Sequence, residues 1–159
     1  MKKLVWSISA IVLIMIASCQ QKASILTDTQ KVTIEKEVRA QYETLEKSLN
    51  AMDINLLRQL YSQNNFLAAV FDGTKIETYE AVIDSVSSWF SGREEQGIDK
   101  SDIQIDVLSD GLAVVTSIIE GHMTFNSGER WETKNHAFSL LYSREASGWK
   151  IIHYHESDQ

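Results

Sequence analysis

The chain carries four histidines, His122, His136, His153 and His155, and none precedes His122. Two of them sit one residue apart in Gly148-Trp149-Lys150-Ile151-Ile152-His153-Tyr154-His155-Glu156-Ser157. Alternate residues of a strand share a face, so His153 and His155 are expected to point the same way as Trp149 and Ile151. Lys150, Ile152 and Tyr154 would then line the opposite face. Three roles compete for the group. A His-x-His strand pair joined by Glu120, Glu132 or Glu156 could ligate a metal ion, but zinc sites need three or four protein ligands and no further ligand stands at a fixed spacing. No metal and no cofactor is therefore assigned. A pocket imidazole titrates near neutrality and can move a proton. Half-buried rings of this kind also serve simply as packing.

Other polar and aromatic residues are sorted by the same period argument. Asp102 and Asp106 alternate with Ile103, Ile105 and Val107, which turns them to solvent and leaves no aspartate placed inside the fold. Glu43, Glu46, Asp84, Glu94 and Glu95 read as solvated faces. Small-molecule sites are mostly apolar with a few polar groups. Trp89, Phe90 and Trp131 are the candidate lining residues, with Tyr61 or Trp131 orienting a ligand and Trp149 structural.

The elements that must position these residues fall into two halves. Ile34, Val38, Tyr42, Leu45, Leu49 and Met52 recur at helical spacing, and Asp28 or Thr29 could cap that helix. A short helix after Asp53 carries Leu56, Leu57, Leu60 and Tyr61. Phe66 to Phe71 reads as a strand entering an Asp72-Gly73 turn, and residues 78–91 return to helical spacing before Gly92. The second half has the period of strands: 103–107, 112–125, 131–142 and 149–155, separated by turns at Asp110-Gly111, Asn126-Ser127-Gly128 and Ser147-Gly148. Helices followed by an antiparallel meander predict an α+β layer fold.

At 159 residues the chain has length for one domain with a real core. Lys2 and Lys3 precede an apolar run from Leu4 to Ile16, the architecture of a secretory signal, and the uncharged stretch from Leu4 to Ser18 is too short to span a bilayer as a helix. Ile16-Ala17-Ser18-Cys19 resembles the lipobox of bacterial lipoproteins. That resemblance implies cleavage before Cys19, lipidation of Cys19 and a membrane anchor; Gln20, standing where an aspartate can retain a lipoprotein in the inner membrane, favours the outer membrane. Cys19 is the sole cysteine, so no internal disulfide can form. The reading is a signal peptide over residues 1–18, a polar tether over 19–29 and one domain over 30–159. Without residues 1–18 the chain keeps 13 basic residues against 22 acidic ones, a balance that repels phosphate backbones and excludes nucleic acid as a partner.

The order of elements resembles the SnoaL-like, ketosteroid-isomerase-like branch of the nuclear transport factor two superfamily. The resemblance is carried by Asn50-Ala51-Met52-Asp53, Leu60-Tyr61, the helix opening Thr78-Tyr79-Glu80-Ala81-Val82-Ile83, the strand Ile103-Gln104-Ile105-Asp106-Val107-Leu108 before Asp110-Gly111, and the closing Gly148-Trp149-Lys150-Ile151 with His155 and Ser157. It implies a cone: a curved antiparallel sheet with helices packed on its concave face around a pocket, and homodimers formed through the outer sheet face, where Ile152 and Tyr154 are expected. It also implies a functional histidine at His155. Two functions remain open. One is an envelope protein that binds a small, partly apolar ligand or a protein partner through Tyr61, Trp89, Phe90, His122 and Trp131. The other is an isomerase, dehydratase or hydrolase that moves protons with His155 and His136.

Overall fold

The computed structural model describes residues 25–157. The expected signal peptide, the expected lipidation site Cys19 and most of the expected tether lie outside the described residues.

Three helices precede most of the sheet: α1 (Asp28–Asn50), α2 (Ile54–Leu60) and, after the hairpin β1 (Ala68–Phe71) and β2 (Thr74–Ile76), α3 (Tyr79–Ser91). Four long strands follow, β3 (Arg93–Val107), β4 (Leu112–Phe125), β5 (Arg130–Glu145) and β6 (Gly148–Ser157). The cap of α1 is Thr27, not Asp28 or Thr29. Its hydroxyl accepts from the Gln30 amide and the Gln30 side chain accepts from the Thr27 amide. Only Thr27 has a glutamine three residues on to complete that reciprocal box. Asp53 caps α2 by accepting from the amides of Asn55 and Leu56, and Thr78 caps α3.

The sheet order is β2-β1-β6-β5-β4-β3. The meander β3 to β6 is antiparallel, as expected, and β1 extends it by pairing parallel to β6, with Ala69 opposite Tyr154. Asp72 and Gly73 both take positive φ, 46° and 77°, the geometry a tight β1–β2 hairpin needs. The strand β3 begins ten residues before the alternating Ile103-Ile105-Val107 stretch, at Arg93. That first part has no simple alternation because bulges interrupt it.

The helices cover one face of the sheet. Ile34, Val38, Tyr42 and Leu45 of α1, Leu57 and Leu60 of α2, and Val82, Ile83 and Val86 of α3 are buried against Val115, Ile119, Leu140, Tyr142 and Ile151. Tyr42 joins the layers by donating to Ser117 Oγ on β4 at 2.6 Å, and burial pushes its phenol up to about 12. Glu46, expected on a solvated face, lies one turn further along α1 with Oε1 buried and no hydrogen-bond partner among the described residues. Trp149 is structural, as expected: it is buried, and its indole N–H donates to Glu37 at 2.9 Å.

The register of β6 departs from simple alternation. Leu141 pairs with His153 and Tyr142 with Ile151, so Ile152 is an extra residue. A bulge of one residue exchanges the faces of everything beyond it. Upstream, Trp149 and Ile151 face the helices. Downstream, the inward positions are Tyr154 and Glu156, opposite the buried Leu140 and Phe138, while His153 and His155 are opposite Leu141 and Ser139. His155 is exposed. The expectation that His153 and His155 share the face of Trp149 and Ile151 is thus corrected. Ile152 and Tyr154, expected as an outer assembly surface, are both buried within the monomer.

Candidate functional site

A cavity of about 410 Å³ opens between the helices and the far ends of β3, β4, β5 and β6. Its walls are largely apolar: Leu45, Leu57, Phe71, Val86, Phe90, Ile119 and Phe138 contribute, with Trp89 and Trp131 at half-buried positions. Phe71 stands edge-on to Trp89 with ring centroids 4.6 Å apart, and Phe138 meets Tyr154 at 5.5 Å. These tilted and edge contacts are the favoured aromatic geometries.

Three further bulges aim the strand ends. Between Ile119–His136 and Gly121–Thr133, β5 carries one residue more than β4. His136, at an even position, and Trp131 and Thr133, at odd ones, therefore all face inward. On β3 the extra residues are Asp99 and Glu94, which bring Ile98, Gln96 and Arg93 to the same side, opposite Gly121, Met123 and Phe125.

Polar groups converge at one side of the cavity. His136 Nε2 lies 3.4 Å from Glu156 Oε2, and the two side chains retain only 13% and 12% exposure. The Tyr154 hydroxyl donates to the same Glu156 oxygen at 2.6 Å. The His136 ring also packs edge-on against Phe138, 4.7 Å between centroids. Burial, with the Glu156 charge adding to it, holds the Tyr61 and Tyr154 phenols well above their ordinary range, so both remain protonated donors. A carboxylate, an imidazole and phenol hydroxyls facing an apolar space can hydrogen-bond a ligand or exchange a proton with it.

The expected residues separate accordingly. Tyr61, Trp89, Phe90, Trp131 and His136 line the cavity together. His155 does not line it; the position that reaches the cavity is the next one, Glu156. Glu156 as a cavity group, Tyr154 and Arg93 are what period reasoning missed, because strict alternation puts Tyr154 and Glu156 on the outer face and Arg93 falls between the expected helix and the expected strand from 103. The available signal was a mismatch of pattern: Ile151 and Ile152 are adjacent apolar residues, and two consecutive inward-looking residues suit a bulge.

His122 borders the cavity, but its ring belongs to a different group. Its register partners are Gly97 and Glu132. The ring lies so close over Gly97 that a Cβ there would meet His122 Cε1 at 2.6 Å, so any larger residue would displace the imidazole. Nδ1 is 3.0 Å from Asp99 Oδ2 and Nε2 is 3.5 Å from Glu95 Oε1. The hydrogen bond that His122 donates to the Asp99 carboxylate is the largest cause raising the His122 pKa above its ordinary value. Among the described residues, no group of three or more histidine, cysteine, aspartate or glutamate side chains is placed to hold a metal ion.

A family model described as a SnoaL-like domain matches residues 38–158. Among solved structures, the chain superposes on an NTF2-like family protein from Streptomyces avermitilis with a TM-score of 0.71 at 16% identity, covering 80% of this chain and 97% of that one. A nuclear transport factor 2 (NTF2-like) superfamily protein from Salmonella enterica serovar Typhimurium gives 0.72 at 16% identity, covering 80% and 92%. The hexachlorocyclohexane dehydrochlorinase LinA-type3 from Novosphingobium barchaimii gives 0.70 at 9% identity, covering 82% and 90%. At these identities the likeness is one of fold. No curated protein matches the sequence.

The His122–Asp99 pair makes stability depend on pH in a defined sense. A histidine whose folded pKa is raised contributes stability that is complete below its unfolded value of about 6.5 and is lost as pH rises through the folded pKa. Asp99→Asn should lower the His122 pKa in an NMR titration and should destabilise the protein more at about pH 5 than at about pH 9. An unchanged titration would remove the pair as the cause.

Proposed function

Because this chain belongs to the SnoaL-like domain family, within the NTF2-like superfamily, we propose that its cone binds a small, partly apolar molecule. The observation that carries this reading is the cavity of about 410 Å³, apolar on most sides, with Glu156, His136 and Tyr154 converging at one. Apolar walls supply affinity by removing ligand surface from water, and a few convergent polar groups fix its orientation. Met123 lines the cavity on β4 at a half-buried position where a larger side chain would fill the space. Met123→Trp is expected to weaken binding of the uncharged probe 2-naphthol, measured by calorimetry, by about tenfold or more. Equal binding by parent and variant would sink the reading.

A second reading is favoured by the placement of His136 against Glu156. In it the pair transfers protons: the carboxylate or imidazole removes a proton from carbon next to a ligand carbonyl, and the Tyr154 hydroxyl helps hold Glu156 in place. His136 takes this role with Glu156 in place of His155. The reaction class is tested in D2O with the enolisable ketone 2-tetralone, where the protein should accelerate deuterium entry at the acidic carbon. Glu156→Gln should abolish that acceleration. Exchange no faster than in buffer would leave the site as a binding site without chemistry.

The proposed setting is the bacterial cell envelope, with the domain lipid-anchored through Cys19 and the outer membrane favoured over the inner. The support is the sequence Ile16-Ala17-Ser18-Cys19 behind a basic start and an apolar run. Several acyl chains on one residue exceed the two-signal requirement for stable anchoring. Metabolic labelling with a fatty-acid analogue should mark the protein and should disappear in Cys19→Ala; labelling that persists would refute the anchor.

A further inference from the structure

The cavity also holds a positive charge that, among the described residues, no carboxylate meets at ion-pair distance. Arg93 opens β3, and the bulge at Glu94 turns it inward opposite Phe125. It is the only arginine or lysine among the described lining residues. Its guanidinium stands 5.9 Å from the centroid of the Trp89 ring and donates through Nη1 to Gln96 Oε1. Gln96 is fixed in turn, since its Nε2 donates to the Leu49 carbonyl at 2.6 Å. The amide oxygen therefore stays turned to the arginine.

This arrangement positions Arg93 without neutralising it. A guanidinium has five N–H donors in a planar fork, and Gln96 engages one side of it. No ion pair among the described residues includes Arg93. Burial lowers its pKa, and the charge of Glu156 offsets this only across space. Glu156 is already engaged by Tyr154 and His136. A half-buried cation beside an aromatic wall is well satisfied by an anion that accepts two parallel hydrogen bonds.

We infer that the ligand of this cavity is a small amphipathic carboxylate, its apolar or aromatic body lying among Trp89, Trp131 and Phe138 and its carboxylate paired with Arg93. The charge count favours a monoanion. One guanidinium matches one carboxylate, whereas a phosphate dianion would face two lining carboxylates, Asp72 and Glu156, with a single cation to offset it. The inference rests on the reading that the cavity binds small molecules, and adds the head group that selects among them.

The test compares matched acids and primary amides on the full chain by calorimetry at neutral pH: phenylacetate, 2-naphthoate and cyclohexanecarboxylate, each against its amide. At least one acid should bind about tenfold or more tighter than its amide, the scale of a charge-assisted pair. Arg93→Gln should weaken binding of that acid about tenfold or more and binding of its amide by clearly less, so that the preference disappears. Equal binding of every acid and amide in the unmodified protein would overturn the carboxylate assignment and leave the binding site standing. An equal loss of acid and amide binding in Arg93→Gln, with folding intact by circular dichroism, would overturn it too. If no acid and no amide binds, the inference falls together with the reading beneath it.

Discussion

One extra residue in the last strand decides which side chains this protein presents to its cavity. Ile152 sits between the pairs Leu141–His153 and Tyr142–Ile151, and past it every side chain of β6 changes face. The effect is all or none, because the side-chain period of a strand is two. Without it, β6 would offer His153 and His155 to the interior. With it, Tyr154 and Glu156 stand there, and the histidines lie opposite Leu141 and Ser139 on the outside. The polar end of the cavity is a product of that register.

The other bulges act in the same way at the neighbouring strands. The extra residue of β5 reconciles Trp131 and Thr133 with His136, and the two extra residues of β3 bring Ile98, Gln96 and Arg93 to one side. Bulges also increase local twist and bend, so they curve the sheet around the helices while they re-aim its side chains. Three of these irregularities, two on β3 and one on β5, lie towards the cavity, whereas the β6 bulge sits deeper, beside Leu141 and Tyr142, and re-aims everything beyond it.

The core holds this geometry with few but specific polar bonds. Tyr42 and Ser117 tie α1 to β4 inside the protein, and Glu37 receives both the Trp149 indole and the Arg144 guanidinium at the surface between α1 and the β5–β6 hairpin. Tyr142 Oη and Glu46 Oε1 have no hydrogen-bond partner among the described residues. Leaving a buried polar atom unpaired costs about 1–3 kcal/mol, which marks this layer behind the cavity as a place where the fold retains stability to lose or gain. The His122 group, with Asp99 and Glu95 around a ring laid on Gly97, fixes the far ends of β3 and β4 by charge instead of apolar contact.

Much of the architecture could be read from local pattern. The helical stripe of Ile34, Val38, Tyr42 and Leu45, the turn at Asp72-Gly73, the α3 stripe and the four strands of the meander all follow from residue type and period, because each element must bury one face. Tyr61, Trp89, Phe90, Trp131 and His136 were likewise identifiable as large aromatic or amphipathic residues on those faces. The roles of Glu156, Tyr154 and Arg93, and the exclusion of His155, depended on the tertiary structure. A bulge is set by the pairing of two strands distant in sequence, so no local period contains it. The sequence by itself determined which elements form and which faces they bury; the pairing of β6 with β5, and of β3 with β4, decided which polar groups meet across the cavity.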